Sequence, residues 1–403
     1  MCSLIRFLLV ADFLIERMGE KGDGLAKGRA FPRSLPGEMV DESGRVQKPS
    51  PDRIATFCPV FESCGGCKLQ HWAPAPYQAW KRELLVSALA AKGLNTEVKP
   101  LIDAHGQGRR RVALHVRQVG SAWRAGFMAE GSHALVPIEQ CPILAPKLQS
   151  IPQVAATFGT FFGECDVLAV LADNGIDIAI KATRKLADKA VAQFDGFMRQ
   201  HAIARIAVNG QTIGQLAPPI ISMGKARVAL PIAGFLQATT QGEEVLATLI
   251  DEALPKSKNV ADLFGGIGPF ALRLAETRSC AAIDSSKPAI AALNFALRNT
   301  QGLKPMKAEA RDLFQNPLTA QELNEFDAVV LDPPRAGAEA QCKTLTKSKV
   351  KRIAYVSCDV QSLARDAVIL VQGGYDFVRA TPVDQFKYSP HLEAVAVFVR
   401  GRG

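Results

Sequence analysis

Val260-Ala261-Asp262-Leu263-Phe264-Gly265-Gly266-Ile267-Gly268-Pro269-Phe270 reads as an apolar strand that runs into a glycine turn and then opens a helix. Such a turn lets backbone N–H groups approach an anionic or carboxylate-bearing ligand at the helix N-terminus, and a dinucleotide would suit it equally well. About 20 residues further on, Ala281-Ala282-Ile283-Asp284 reads as a second strand that ends in an acid placed to receive ribose hydroxyls. The alternative is that Asp284 caps the helix that begins before Pro288. Asp312 falls where a third strand ends; it can meet an adenine edge or be a solvated loop acid. Beyond Asn259, apolar runs ending in Asp or Gly alternate with helical patterns. This predicts the α/β class, a doubly wound sheet that binds ligands at the carboxyl ends of its strands.

Two later strands reach the same edge. Phe326-Asp327-Ala328-Val329-Val330-Leu331 delivers Asp332-Pro333-Pro334-Arg335, an acid on a rigid double-proline turn. Ile353-Ala354-Tyr355-Val356-Ser357-Cys358-Asp359 repeats the device with a thiol. A cysteine inside a strand is ordinarily inert core, but Cys358 stands just past the tip, between Ser357 and Asp359, where a nucleophile would be. Glu393, in Ser389-Pro390-His391-Leu392-Glu393, begins the last apolar run, Ala394 to Val399, and can present a carboxylate to the same pocket. Taken alone, it would read as an exposed acid at a strand start.

Upstream the texture differs. Val112-Ala113-Leu114-His115-Val116 and Trp123 to Met128 are candidate strands, and Val167 to Ala172 and Ile176 to Ile180 flank the hairpin signal Asp173-Asn174-Gly175. Tyr77 to Lys92 has the spacing of an amphipathic helix. Arg109-Arg110-Arg111 is a candidate phosphate contact or a plain solvated loop. Before these, Cys58, Cys64 and Cys67 stand as C-x5-C-x2-C around Gly65-Gly66, and Cys141-Pro142 comes much later. Three thiolates on a glycine-bearing loop can wrap one metal centre, with a distant fourth ligand pinning the intervening chain; zinc and a [4Fe-4S] cluster suit the spacing alike. Residues 16–50, with Gly19, Gly22, Gly24 and Gly28 ahead of Leu35-Pro36-Gly37-Glu38, suggest a small β-rich module.

A chain of 403 residues is long enough for two or three domains, and its net charge of +9 suits a polyanionic partner. The apolar stretch Leu4 to Ile15 holds Arg6 and Asp12 and is shorter than the roughly 20 residues a membrane helix needs, and it lacks a signal peptide's basic leader and cleavage site. A cytoplasmic location and reduced thiols are therefore expected for the nine cysteines.

Together these residues resemble the 5-methyluridine RNA methyltransferase family, specifically its iron-sulfur-containing 23S ribosomal RNA branch. The likeness covers nearly the whole chain. Leu35-Pro36-Gly37-Glu38 and the glycines before it are similar to a TRAM domain, the four cysteines to the family's cluster ligands, and Gly234-Phe235-Leu236-Gln237 to its FxQ element. Asp262-Leu263-Phe264, Asp332-Pro333-Pro334-Arg335, Ser357-Cys358 and Asp384-Gln385-Phe386 with His391-Leu392-Glu393 complete the set. The resemblance implies a TRAM-like β module over 1–56, a cluster-bearing, β-rich RNA-binding domain over 57–235 and a Rossmann-like class I methyltransferase domain over 236–403. It implies S-adenosylmethionine as cofactor, with Gln237, Phe264, Gly266, Pro269, Asp284, Asp312 and Asp332 at contact positions. Cys358 would be the nucleophile and Glu393 the general base. Cys58, Cys64, Cys67 and Cys141 would hold a [4Fe-4S] cluster that serves folding or RNA binding. The expected substrate is a uridine of 23S rRNA, methylated at carbon 5 by a monomer that needs no membrane. The rival readings are a tRNA uracil-5-methyltransferase, an amino-group RNA methyltransferase and a non-catalytic RNA-binding protein. The sequence departs from the family pattern at Gly265, where cysteine is usual, at Asp359-Val360 for Asn-Pro, at Lys387 for Pro and at Pro269 for a polar residue.

Overall fold

The computed structural model describes residues 12–184 and 194–401. Leu4 to Ala11, most of the leading apolar stretch, lie outside them, as does the start of the N-terminal module. Among the described residues no helix is long and apolar enough to cross a membrane.

The C-terminal sheet has nine strands. Its middle follows the expected doubly wound pattern: Met306–Ala310, Ser279–Asp284, Asn259–Leu263, Ala328–Leu331 and Arg352–Ser357 lie side by side and parallel. The strand order reverses beside Asn259–Leu263, and such a switch point is where an open α/β sheet leaves a crevice. Both faces are covered by helices, so the inner strands are buried on both sides, and Ala328–Leu331 is buried at every position, whereas the edge strand Met306–Ala310 leaves Lys307 and Glu309 exposed. The last strand, Glu393–Arg400, breaks the parallel rule. It inserts antiparallel between Arg352–Ser357 and Tyr375–Asp384.

The expected hairpin forms as read. Ala172 pairs with Gly175, leaving Asp173-Asn174 as a two-residue loop. Cys165–Ala172 and Gly175–Ala182 belong to a central seven-stranded sheet, packed on the helix Ile151–Phe162 through Phe158, Phe162 and Leu114. Residues 13–48 make six short strands in two three-stranded sheets.

The middle segment contributes to two cores. The helix Pro74–Ala90, close to the expected Tyr77–Lys92, buries Leu85, Ala88 and Leu89 among the core residues of the C-terminal sheet. Glu97–Val98 and Ile102–Asp103 pair with Tyr375–Asp384 at the edge of the C-terminal sheet. The hairpin Ile220–Met223/Ala226–Ala229 packs Met223 and Val228 against Leu272 and Leu293.

Candidate active site

At the end of Asn259–Leu263 the backbone turns through left-handed conformations at Phe264 (φ 63°), Gly266 (54°) and Gly268 (85°). For Phe264 this costs about 1–2 kcal/mol, and two contacts hold it there. Its N–H donates to the Ile283 carbonyl at 2.8 Å, and its ring lies 5.4 Å from that of Phe314. Beneath the turn, the buried Asp262 accepts the Ala271 N–H at Oδ2 (3.0 Å), while Oδ1 has no partner. Burial pushes its carboxyl up to about 7. A Cβ on Gly265 would sit 3.0 Å from Asp262 Oδ2, so a side chain at 265 would require that carboxyl to shift.

Asp284 is not the helix cap. Ser286 accepts the Ala289 N–H and caps Lys287–Arg298, whereas Asp284 takes the Gly266 N–H at Oδ2 (3.0 Å) and the Ser286 N–H at Oδ1 (2.7 Å). The acid thus ties the glycine turn to the next strand and keeps lone pairs free for ribose hydroxyls. Asp312 accepts the Phe314 N–H at 2.9 Å as a turn cap and also lines the cavity. Gln237 is buried; its Nε2 donates to Asp332 Oδ2 at 3.2 Å and its Oε1 accepts from Gln385 Nε2 at 2.8 Å. Gln385 in turn accepts the Ala238 N–H at 2.9 Å.

Cys358 and Glu393 meet by register. Ser357 pairs with Ala394 across the antiparallel ladder, so the residue after one faces the residue before the other. One cavity of about 550 Å³ is lined by both, together with Gln237, Phe264, Gly266, Pro269, Asp284, Asp312, Asp332 and Arg335. Glu393 is 4% exposed, and one carboxylate oxygen lacks a partner. Desolvation raises it to about 8, against the pull of Gln385 and Arg335. The Cys358 thiol is pushed up to about 11, first by burial and then by the Glu393 and Asp332 charges, with Arg335 opposing. Burial, with the Glu393, Asp262 and Asp284 charges, also carries the Asp332 carboxyl well above its usual range. Arg335 is therefore the positive charge that favours the ionised forms of both Cys358 and Glu393, a role the sequence did not announce. A larger, open groove of about 730 Å³ runs alongside, sharing Pro231, Ile232, Ala233 and Pro288 with this cavity.

The arginine triplet is no single phosphate patch. Arg110 is buried and ion-paired with Glu243, which also binds Arg273 at 3.0 Å. Arg111 lies 5.2 Å over the Phe235 ring, and Arg109 lines the cysteine cavity. Their adjacency in sequence hid three separate environments.

Cys58, Cys64, Cys67 and Cys141 surround one enclosed cavity of about 50 Å³. The Gly65 N–H donates to the Met128 carbonyl at 3.1 Å, and a Cβ there would meet that oxygen at 2.7 Å, so the loop can lie this close only with glycine. The Gly66 N–H donates to Cys64 Sγ at 3.3 Å. Among the described residues no three His, Cys, Asp or Glu side chains are drawn close enough to hold a single metal ion. The convergent thiols and the backbone donor to sulfur nonetheless fit a thiolate-bound centre.

This strand order, with a glycine turn at the switch point and an acid ending the next strand, defines a class I S-adenosylmethionine-dependent methyltransferase. Residues 233–401 match the family described as tRNA (Uracil-5-)-methyltransferase. An uncharacterized RNA methyltransferase of Brucella suis is 41% identical over 404 residues, spanning 96% of this chain and 97% of its own length. A 23S rRNA (uracil(1939)-C(5))-methyltransferase of Shewanella sp. is 28% identical, over 96% of this chain and 95% of its own. The crystal structure of the Pyrococcus abyssi tRNA (uracil-54, C5)-methyltransferase with S-adenosyl-L-homocysteine superposes with a TM-score of 0.75, covering 96% of this chain and 100% of that one. At 20% identity that likeness is one of fold. The chain belongs to the family of S-adenosylmethionine-dependent RNA uracil-5-methyltransferases.

Proposed function

We propose that this enzyme methylates carbon 5 of a uridine in 23S ribosomal RNA, with Cys358 as nucleophile and Glu393 as general base. The observation that carries this reading is the thiol and the carboxylate facing each other across neighbouring strands on one cavity with the glycine turn and Asp284. Carbon 5 of uracil is a weak nucleophile. Addition of the Cys358 sulfur to carbon 6 makes an enolate whose charge is delivered to carbon 5. S-adenosylmethionine supplies the methyl group. Glu393 then takes the proton from carbon 5, the double bond re-forms and the thiolate leaves. Arg335 favours the thiolate at the start, and the acids lining the cavity suit a cationic sulfonium. Gln237, Phe264, Gly266, Pro269, Asp284, Asp312 and Asp332 make up the cofactor side. The base has to leave its stack to reach sulfur and methyl donor together, and the adjoining groove offers the flanking strand a path.

The ribosomal target is supported by the activity named for the Shewanella relative and by the four cysteines, which the resemblance ties to the ribosomal branch. For the cysteine site we infer a [4Fe-4S] cluster, because the four cysteines resemble the family's cluster ligands and converge on one enclosed cavity. Nucleoside mass spectrometry of 23S rRNA and tRNA from a deletion strain tests the target. One 23S fragment should lose its 5-methyluridine; loss from tRNA alone would overturn the ribosomal assignment.

A further inference from the structure

Asp384 ends one strand and Glu393 begins the next, and the loop between them carries the base into the cavity. We propose that Lys81 and Tyr77, one turn apart on the helix Pro74–Ala90, are positioning residues that hold this loop and so set Glu393 for proton removal; the inference rests on the reading of Glu393 as the base. Lys81 Nζ donates to Asp384 Oδ1 at 3.0 Å and, at the far end of the loop, to the carbonyl of His391. The Tyr77 hydroxyl donates to Asp384 Oδ2 at 2.6 Å and accepts the Tyr388 N–H at 2.9 Å. Two side chains on one helix face thus grip the loop at its root, middle and penultimate residue before Glu393.

The grip is isolated from water, with Lys81 at 0% and Asp384 at 1% exposure. A buried ion pair adds little net stability over apolar residues of the same size, but it strongly disfavours arrangements that separate its partners. Here every such arrangement moves the loop. Tyr388 adds a second sign of constraint: its φ of 65° is one a bulky residue keeps only where its surroundings fix it. Its carbonyl accepts the N–H groups of Lys68 and Leu69 at 2.8 and 3.2 Å. These residues directly follow Cys67, so the cysteine loop braces the same segment from outside.

A positioning role predicts which step fails. With S-adenosylmethionine and transcribed 23S rRNA tritiated at carbon 5 of uridine, RNA–protein adduct is read on denaturing gels and proton loss as tritium released. Tyr77→Phe and Lys81→Met should form adduct at the wild-type rate but release tritium roughly tenfold to a hundredfold more slowly, the cost of a misplaced reacting group, so that adduct accumulates. Tritium release and adduct formation falling together, or neither changing, would overturn the proposal. Tyr77→Phe removes only a hydroxyl and decides the matter if Lys81→Met does not fold, as judged by circular dichroism. Cys358→Ala is the separate control: if it methylates without adduct, the underlying reading of the base fails, whatever the helix variants do.

Discussion

At the scale of single residues, two buried acids make the strongest predictions. Glu393→Gln keeps the shape of the site but cannot accept the carbon 5 proton. Turnover should drop by about 10²- to 10⁴-fold while a covalent RNA–protein adduct accumulates on denaturing gels. Normal turnover without adduct would remove Glu393 from its role. In the free enzyme Glu393 must ionise from about 8, so kcat/KM should rise with pH through that value, and rise further as the Cys358 thiol, pushed up to about 11, ionises. Removing the opposing positive charge by Arg335→Ala should move this limb to higher pH. Asp262 carries a stability signature. Its folded-state value of about 7 lies above the ordinary 3.8, so the stability it contributes is complete at low pH and is lost as pH rises through about 7. The melting temperature of the ligand-free protein should fall over that window, and Asp262→Asn should flatten the decline. That Cys358 and Glu393 reach one cavity was legible in the sequence because each stands at the boundary of an apolar run. Arg335, Asp262 and Lys81 were not: their roles depend on partners that no local pattern reveals, and a charged helix residue such as Lys81 reads as solvated until Asp384 arrives from 303 residues away.

At the scale of elements, period and turn chemistry read well. The strands Asn259–Leu263, Ser279–Asp284, Ala328–Leu331 and Arg352–Ser357 fall where apolar runs end in Asp, Gly or Cys, and Asp173-Asn174 makes its hairpin. The pairing of Glu97–Val98 and Ile102–Asp103 with Tyr375–Asp384 was hidden, because two-residue strands carry no periodicity and their partner lies at the other end of the chain. The cysteine loop is a local device and invites a local test. Gly65→Ala would press a Cβ to 2.7 Å from the Met128 carbonyl and lift the loop from the strand Ala122–Met128. Purified anaerobically, this variant should hold little of the iron and visible absorbance that the proposed cluster gives the wild type, while titration with S-adenosylmethionine should match wild type. Full iron content would show that the loop needs no such approach.

At the scale of the whole molecule, Cys67 and Cys141 belong to a core separate from that of the catalytic sheet, and Cys58 packs against it. If the cysteines hold the proposed cluster, chelating its iron should therefore weaken RNA binding in filter assays by about tenfold and leave cofactor affinity within about twofold. A comparable loss of cofactor affinity would mean that the two cores are coupled more tightly than their separation implies. The placement of Glu393–Arg400 carries one more consequence. Each cofactor-side residue proposed above, and the nucleophile, precede the segment that completes the sheet. A polypeptide still emerging from the ribosome, or cut short before residue 393, would hold a half-built crevice without the proposed proton acceptor and with a split in its interior, so on this reading chemistry waits for the final stretch of translation to slide home.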